Sequence, residues 1–457
     1  MKKYLILSLA VASLYSCSDR LDILPEDSLS PAAVFSDAPG AEAAVNGLYS
    51  FAQSADALNG TFQLAQEWQA DNVDFVGSFP TLQEINIYET KADNTSIFPF
   101  YDQHYNVIGT ANLVIENIPG VPDPTFTQAR KDQLVGEAKF MRALMYFELA
   151  DFFGQPFQQG GRANLSVQLV TVINGDPAPQ RATLGEIHDQ VETDLMEAIP
   201  VLSNSDNSRA TKGAAQALLA RLYLYQERFP EAATMANNAL SNAEFSLAPN
   251  YLFYNTLSGE HFFTLVNSSV NPQPAQGYNS LLNPIPAGGR GDAPFSQNLI
   301  DAYNSEPGDL RFANLNQTGP SAAANAIRTF SSKFPDGTSN GDNATVLRYT
   351  EALLTRAEAN FRAGSSVGAT PLADITRLRT RAGLGPIAVT LSQILIERRK
   401  ELAFEGQRRM DLLRNGLSLR RAGMAKVSES AAGSPLTILP IPAREVELSQ
   451  LTQNTGY

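Results

Sequence analysis

The sequence predicts a mostly α-helical protein that folds as one domain, with long irregular loops and little β-structure. Residues 393–416 carry apolar side chains at the 3.6-residue spacing of a helix, separated by turns of charged ones. Three further segments repeat one helical pattern around Arg142, Arg221 and Arg356. The chain has 457 residues, 43% of them hydrophobic and 18% charged, which is enough for a large core. Long stretches rich in glycine, proline and asparagine separate the helical segments, at residues 68–94, 154–181 and 249–341.

The segment 393–416 predicts two helical runs joined at a glycine. Gly406 separates the runs, and Gly416 follows the second, where a left-handed cap favours a residue without a side chain. Three glutamates at i, i+4 spacing share one helix face, and Arg398 and Arg408 can reach them. Because nearby arginines favour the ionised carboxylates, the pattern predicts ion pairs that hold helices together rather than a catalytic acid–base pair. The glutamates are Glu397, Glu401 and Glu405.

The repeated pattern predicts helical hairpins. In each copy an alanine precedes the arginine by four residues, and an aromatic residue follows it four or five residues later. Two copies are followed by a further helical segment, at 231–240 and 371–381. Small residues let paired helices approach closely, and aromatic side chains fill the space between the pairs. We therefore expect tetratricopeptide-like helical hairpins with the aromatic residues in the core, and the apolar run 261–266 is compatible with a strand.

The N-terminus has the pattern of a bacterial secretion signal. Two lysines precede an apolar run at 4–14 that is too short to span a bilayer, and the run leads to Cys17, the only cysteine of the chain. A cysteine in this place resembles the lipid-attachment site of a bacterial lipoprotein. We therefore predict a signal peptide at 1–16, lipidation of Cys17 and a lipidated tether at 17–34, with the lipid anchor as the only contact with the membrane.

Charge and residue counts disfavour several classes of function. Removal of the two lysines with the signal peptide takes the formal charge from −13 to −15, which disfavours nucleic acid or anionic lipid as a partner. One cysteine provides no disulfide and no thiolate metal site, and the three histidines are not at metal-ligand spacing. We expect no metal, no cofactor and no enzymatic activity. The alternative is a glycoside hydrolase that uses the carboxylates of Glu67 and Asp71 as its catalytic pair.

One part of the chain offers the side chains that bind sugars. Aromatic faces stack on pyranose rings, while aspartate, asparagine and arginine side chains form hydrogen bonds with hydroxyl groups. Residues 66–79 and 98–101 provide this mixture. The alternatives are a core position for Trp68 and the capping of a turn by Asp74. The candidate ligand-binding residues here are Trp68, Asp71, Asn72, Phe79, Phe98 and Tyr101.

Several motifs resemble a known family. The segment ERRKELAFEGQRRMDLLRNG at 397–416 and the ending LPIPAREVELSQLTQNTGY at 439–457 resemble the SusD/RagB family, the nutrient-binding outer-membrane lipoproteins of Bacteroidetes. Asn-Gly-Leu-Tyr at 46–49, the helix that ends in Phe-Gly-Gln-Pro at 153–156, and Leu-Arg-Thr-Arg-Ala-Gly-Leu at 378–384 are similar to further motifs of that family. The resemblance extends over the whole mature chain.

This resemblance implies a SusD-like single domain at 35–457. Its N-terminal part would span about 35–245, a variable loop-rich part about 246–345, and its C-terminal part about 346–457. In the family a second part of the ligand site lies in the variable region. That region offers Tyr251, Tyr254, Tyr278, Asn279 and Arg290, of which Tyr278 and Arg290 are the candidates.

The resemblance also implies a function. We expect a surface-exposed lipoprotein, anchored in the outer membrane and facing outward, that captures an oligosaccharide or polysaccharide. It would deliver this glycan to a SusC-type TonB-dependent transporter, over which it closes as a lid. One branch of the family handles oligopeptides, so a peptide ligand in the same role is the alternative. A scaffold for surface assembly is a third interpretation.

Overall fold

The computed structural model describes residues 30–457, so the predicted signal peptide, Cys17 and residues 17–29 of the predicted tether lie outside the described residues. About 49% of the structure is helical, in agreement with the predicted fold class. The helices are α1 (Pro31–Val34), α2 (Ala38–Ala52), α3 (Thr61–Gln69), α4 (Pro80–Asn86), α5 (Ile97–Asn117), α6 (Gln128–Phe153), α7 (Leu184–Ala198), α8 (Lys212–Tyr225), α9 (Phe229–Leu240), α10 (Tyr278–Leu282), α11 (Gln297–Asn304), α12 (Leu310–Asn314), α13 (Tyr349–Ala363), α14 (Pro371–Arg381), α15 (Leu391–Leu402), α16 (Arg408–Leu413) and α17 (Ala443–Ser449). The strands are β1 (Leu165–Gln168), β2 (Arg181–Thr183), β3 (His261–Leu265), β4 (Asn316–Pro320), β5 (Ile327–Ser331) and β6 (Ala344–Arg348).

Consecutive helices pack in pairs, which confirms the predicted hairpins. Helix α6 packs on both α5 and α7, α8 packs on α9, and α13 packs on α14, while α9 also packs on α13. Their buried side chains form one hydrophobic cluster that extends from Phe35 to Leu451. The result is a single, mostly α-helical domain. No helix within residues 30–457 is long and apolar enough to cross a membrane.

The arginine of each repeated segment joins two helices. Each guanidinium forms a two-pronged ion pair with a carboxylate on a neighbouring helix, with N–O distances between 2.6 and 2.9 Å. All three arginine side chains are buried, so the repeat places a charge where only a well-oriented carboxylate can compensate for its loss of water. The pairs are Arg142 with Asp194, Arg221 with Glu351, and Arg356 with Asp374.

The aromatic residues of the repeats are in the core, with one exception. Tyr146, Phe147 and Tyr225 are buried as predicted. Phe361 is 39% exposed, so its prediction as a core residue is wrong. It lies in the last turn of α13, just before the left-handed cap at Gly364, and the exposed residues around it show that this turn faces solvent.

Helices α15 and α16 confirm the two predicted runs. Gly406 lies between them with φ of +75°, and Gly416 follows α16 with φ of +68°. The three glutamates at i, i+4 spacing are buried or nearly buried and take part in ion pairs, as predicted. Their partners differ from those expected, because Arg398 pairs with Asp411 and Arg408 with Asp71. The observed pairs are Glu397 with Arg311 and Arg379, Glu401 with Arg311, Arg348 and Arg381, and Glu405 with Lys333 and Arg348.

In the described part of the chain, the β-structure consists of three two-stranded antiparallel sheets. Strands β3 and β6 pair with each other. Strand β3 confirms that the apolar run 261–266 forms a strand. Strands β1 and β2 form a second sheet, and β4 and β5 form a hairpin. The last two sheets, and helices α10 to α12, fall largely in stretches predicted as irregular. The long loops are therefore more ordered than their composition indicates.

Candidate ligand-binding surface

The two regions predicted to bind ligand meet in the structure. The chain from Asn72 to Val76 runs beside the segment 292–296. The backbone N–H of Asp74 donates to the carbonyl of Pro294, and that of Val76 donates to the carbonyl of Asp292, both at 3.0 Å. This backbone pairing places the loop after α3 against the loop that follows α10.

Phe79 and Arg290 form the point of contact between these loops on the surface. The guanidinium carbon of Arg290 lies 4.3 Å from the centroid of the Phe79 ring, which is a cation–π arrangement. Both side chains are partly exposed, and that of Arg290 is 30% exposed. The exposed part of the ring and the guanidinium therefore form one surface that offers a hydrophobic face and hydrogen-bond donors. We call these two residues the Phe79–Arg290 surface.

Asp292 supports this surface from below. Its side chain is buried, and the Nη2 atom of Arg290 lies 2.9 Å from its Oδ2 atom. Neither carboxylate oxygen accepts a well-aligned hydrogen bond from another described residue. Burial raises the pKa of Asp292, while Arg290 acts to lower it. A Cβ atom on Gly77 would lie 2.9 Å from the Asp292 carboxyl carbon, so the loop needs a glycine there.

The structure corrects the proposed role of Trp68. Its side chain has no exposed surface and lies edge-on to Phe75, with ring centroids 5.1 Å apart. A buried indole offers no face on which a sugar ring can stack. The core position that the sequence left open for Trp68 is the one observed.

Asp71 and Asn72 also lie in the interior, where they bind other residues of the chain. Arg408 donates to the two carboxylate oxygens of Asp71 at 2.7 and 3.1 Å. Burial acts to raise the pKa of Asp71, but the surrounding arginines hold it well below its usual range. The Asn72 amide accepts from Arg399 Nε at 2.8 Å and donates to a Glu67 carboxylate oxygen at 3.1 Å. Their polar atoms serve internal contacts rather than a ligand.

Tyr101 and Tyr278 are buried as well, which corrects the prediction for both. Tyr101 packs against Tyr105, with centroids 4.9 Å apart, and donates to the side chain of Gln168 at 3.2 Å. Tyr278 stacks on Phe334 with centroids 4.4 Å apart and an interplanar angle of 14°. Of the eight predicted ligand residues, only Phe79, Phe98 and Arg290 have side chains that are partly exposed to solvent.

Phe98 lines a separate pocket of about 410 Å³. The Arg444 guanidinium lies 4.9 Å from the Phe98 ring centroid, and polar side chains that include Asp93 and Glu447 complete the wall. Nothing in the local sequence around residue 444 indicated this role, because the contact joins α5 to α17. The N-cap of α5, Ser96, is joined to Thr81 of α4 by a 2.7 Å hydrogen bond between their hydroxyl groups, and the N-cap of α4 is Phe79.

The carboxylate pair considered for hydrolysis is closed to solvent. Glu67 and Asp71 are both fully buried. Burial raises the pKa of Glu67 to about 7, while Asp71 stays ionised. Two carboxyl groups with separated pKa values fit an acid–base pair in principle, but in this structure neither lies in a cleft that a sugar can enter.

These features define a class of protein, a single helical domain built from hairpins that carries a candidate binding surface on its long loops. Two family models match the chain: one described as "Starch-binding associating with outer membrane" over residues 25–224, and one described as the SusD family over residues 303–457. The chain belongs to the SusD/RagB family.

Similar proteins cover nearly the whole chain. SusD-like protein P2 of Formosa agariphila is 28% identical, over 91% of this chain and 91% of that protein. The structure of a SusD superfamily protein from Bacteroides thetaiotaomicron is 25% identical, with a TM-score of 0.82, and the match covers 91% of this chain and 99% of that one. A laminarin-binding SusD-like protein is 23% identical, with a TM-score of 0.76 over 92% of this chain and 100% of that one. At 23% identity, the comparison with the laminarin-binding protein shows that the two folds are similar and nothing more.

Proposed function

We propose that this protein binds an oligosaccharide or polysaccharide at the bacterial surface and delivers it to a SusC-type TonB-dependent transporter, over which it closes as a lid. The observation that carries the glycan part is the Phe79–Arg290 surface, where an aromatic ring and a hydrogen-bonding cation meet on two loops. The starch-binding description of the matching family model and the laminarin-binding neighbour favour a glycan as the ligand. Neither comparison names a peptide ligand.

The proposed organisation follows the sequence. Residues 1–16 act as the signal peptide, Cys17 carries the lipid, and residues 17–34 form the tether. The domain at 35–457 has its parts at about 35–245, 246–345 and 346–457. The middle part contributes Arg290 to the surface, and the first part contributes Phe79.

A weak site is expected. One stacked ring contributes about 1 kcal/mol beyond simple burial, and a hydrogen bond from a charged group contributes about 1.5–3 kcal/mol. Association costs take up much of this gain, so the expected dissociation constant is in the micromolar-to-millimolar range. Weak binding suits a protein that has to release its glycan to a transporter.

Affinity gel electrophoresis in laminarin and in starch tests the glycan part. The wild-type chain should be retarded by one of these glycans and should release no reducing ends. Phe79→Ala should weaken binding about fivefold, which corresponds to one stacked ring. Phe361→Ala is the matched control, because it removes another partly exposed phenylalanine, on α13, and should leave retardation unchanged.

Three results would contradict the proposal. Equal retardation of wild type and Phe79→Ala would place the site elsewhere, first of all at the Phe98 pocket. Binding of a peptide digest and of no glycan would overturn the ligand class. Failure to isolate a TonB-dependent barrel protein with the lipidated chain from native membranes would overturn the delivery step.

A further inference from the structure

A second pocket, of about 380 Å³, opens beside α15 and α16. One wall is aliphatic and consists of Leu391, Leu395, Ile396 and Leu417. Ile396 and Leu417 are 36% and 43% exposed, so this wall faces solvent. Among residues 30–457, no aromatic side chain lines the pocket. It therefore lacks the flat face that a sugar ring needs and offers a surface for an aliphatic group.

Three arginines also line the pocket, and all three bind the carboxylate of Asp71, which is buried and is not itself a lining residue. Arg408 binds both oxygens of Asp71, Arg399 Nη2 lies 3.3 Å from its Oδ2, and Arg421 Nε donates to the same oxygen. Three positive charges thus share one negative charge. Among the described residues, the only carboxylate that lines the pocket is that of Asp411, and it is already bound by Arg398 and Arg414, which do not line the pocket.

Several arginine N–H groups in this wall have no acceptor in the protein. Among the described residues, the Nη1 atoms of Arg399 and Arg408 and both terminal nitrogens of Arg421 donate no hydrogen bond to a protein atom. None of these nitrogen atoms is among the fully buried polar atoms that lack a hydrogen-bond partner, so each of them is accessible to solvent. Burial lowers the pKa of Arg399 to about 10; Asp71 opposes this shift, while Arg408 and Arg421 add to it. An anion in the pocket would relieve that repulsion.

We propose that this pocket binds an aliphatic carboxylate, a ligand with one carboxylate group and an unbranched or branched alkyl tail. The carboxylate accepts hydrogen bonds from the free N–H groups of Arg421 and Arg408, and the tail lies on Leu395 and Leu417. Charge complementarity selects the anion, and the aliphatic wall selects its tail. The pocket volume lies within the range of small-molecule sites. This site shares no residue with the Phe79–Arg290 surface, so its ligand and the proposed glycan do not compete for the same side chains.

Isothermal titration calorimetry with sodium octanoate tests the proposal on the non-lipidated full chain, Cys17→Ala. We expect one-to-one binding with a dissociation constant of about 1 mM or tighter. Glucuronate carries the carboxylate without an alkyl tail, and octylammonium carries the tail with the opposite charge. Both should bind at least about tenfold more weakly than octanoate.

Two variants separate the two walls. Arg421→Gln, at a side chain that is 35% exposed, should weaken octanoate binding about tenfold, which matches the loss of one charge-assisted hydrogen bond. Leu417→Ser should also weaken octanoate binding, because it removes part of the apolar wall while leaving the arginines unchanged. Arg377→Gln and Leu372→Ser are the matched controls, because both residues are exposed on α14 and outside the pocket. Circular dichroism confirms that each variant is folded.

Every other outcome counts against the proposal. Absence of octanoate binding, or equal binding by wild type and Arg421→Gln, removes the carboxylate site. Octylammonium binding as tightly as octanoate removes the role of charge, and glucuronate binding as tightly removes the role of the alkyl tail. Unchanged binding by Leu417→Ser removes the aliphatic wall. None of these results alters the test of the Phe79–Arg290 surface.

Discussion

Replacement of Glu67 by glutamine should stabilise the protein at high pH and not at low pH. The Glu67 carboxylate is fully buried, and it accepts hydrogen bonds at 3.1 Å from the Asn72 side chain and from the backbone N–H of Gly406. Among the described residues no lysine or arginine nitrogen lies within 4 Å of it. Burial therefore dominates and raises the pKa of Glu67 to about 7 from its ordinary value of 4.5.

The sign and size of the effect follow from the two pKa values. Below pH 4.5 the carboxyl group is protonated in the folded and the unfolded chain, and its ionisation costs no stability. As the pH rises from 4.5 to 8, the unfolded chain gains from ionisation before the folded one does, which lowers the free energy of unfolding by about 3 kcal/mol. Glutamine does not ionise. The stability difference between Glu67→Gln and wild type should thus grow by about 3 kcal/mol in favour of the variant over this pH range.

Glu358→Gln is the control of opposite sign. Burial acts to raise the pKa of Glu358, but Arg414 binds its carboxylate at 2.5 and 2.7 Å and helps to lower the pKa to about 2. This ion pair stabilises the fold above pH 4.5, and the stabilisation is lost as the pH falls towards 2. Glu358→Gln should therefore be less stable than wild type, by about 2 kcal/mol more at pH 7 than at pH 3.

Urea unfolding at several pH values measures both effects. Trp68 is the only tryptophan and is buried, so its fluorescence reports unfolding, with circular dichroism as a second signal. The comparison between pH values cancels any constant cost of placing the glutamine amide next to the amide of Asn72. A stability difference between Glu67→Gln and wild type that is the same at pH 4.5 and pH 8 would refute a raised pKa for Glu67.

Three further predictions can be tested separately. Asp374→Ala leaves the Arg356 guanidinium buried without its partner and should lower the free energy of unfolding by about 3–5 kcal/mol in urea; a loss below 1 kcal/mol would show that water replaces the carboxylate. Gly406→Ala forces a side chain to φ of +75° and should cost about 1–2 kcal/mol, whereas Gly47→Ala, inside α2 with open space around it, should be neutral or stabilising in the same assay. Cys17→Ala should release the protein from the outer membrane on cell fractionation; a variant that still sediments with that membrane contradicts the lipid anchor.

The helical elements could be predicted from the sequence because their signals are local. The period of apolar residues in α15, the glycine between α15 and α16, and the arginine of each hairpin are all visible within one or two turns of helix. The prediction that Glu397 and Glu401 of α15, and Glu405 in the turn after it, form ion pairs needed only the nearby excess of arginine. Their actual partners could not be predicted, because residues such as Lys333 and Arg348 reach Glu405 from segments far away in the chain.

The candidate site was harder to predict because the same residue types serve a ligand and a core. Trp68, Asp71 and Asn72 have the composition of a sugar site, yet the structure uses them for aromatic packing and for buried ion pairs and hydrogen bonds. The sequence alone does not show which arginines will surround a given carboxylate in the folded chain. The contact of Arg290 with Phe79 likewise arises only when two distant loops pair through their backbones.

Under the proposed function the buried residues would still influence binding, because they hold the loop that carries Phe79. Asp71 is bound by Arg408 of α16, and the backbone carbonyl of Asn72 accepts a hydrogen bond at 2.9 Å from the N–H of Ser296, the N-cap of α11, so the end of the pairing next to α3 is fixed to the helical core. A surface that is ordered before the ligand arrives loses less conformational entropy on binding. Residues such as Asp71 would therefore affect glycan affinity by positioning Phe79 and Arg290, without any contact with the sugar.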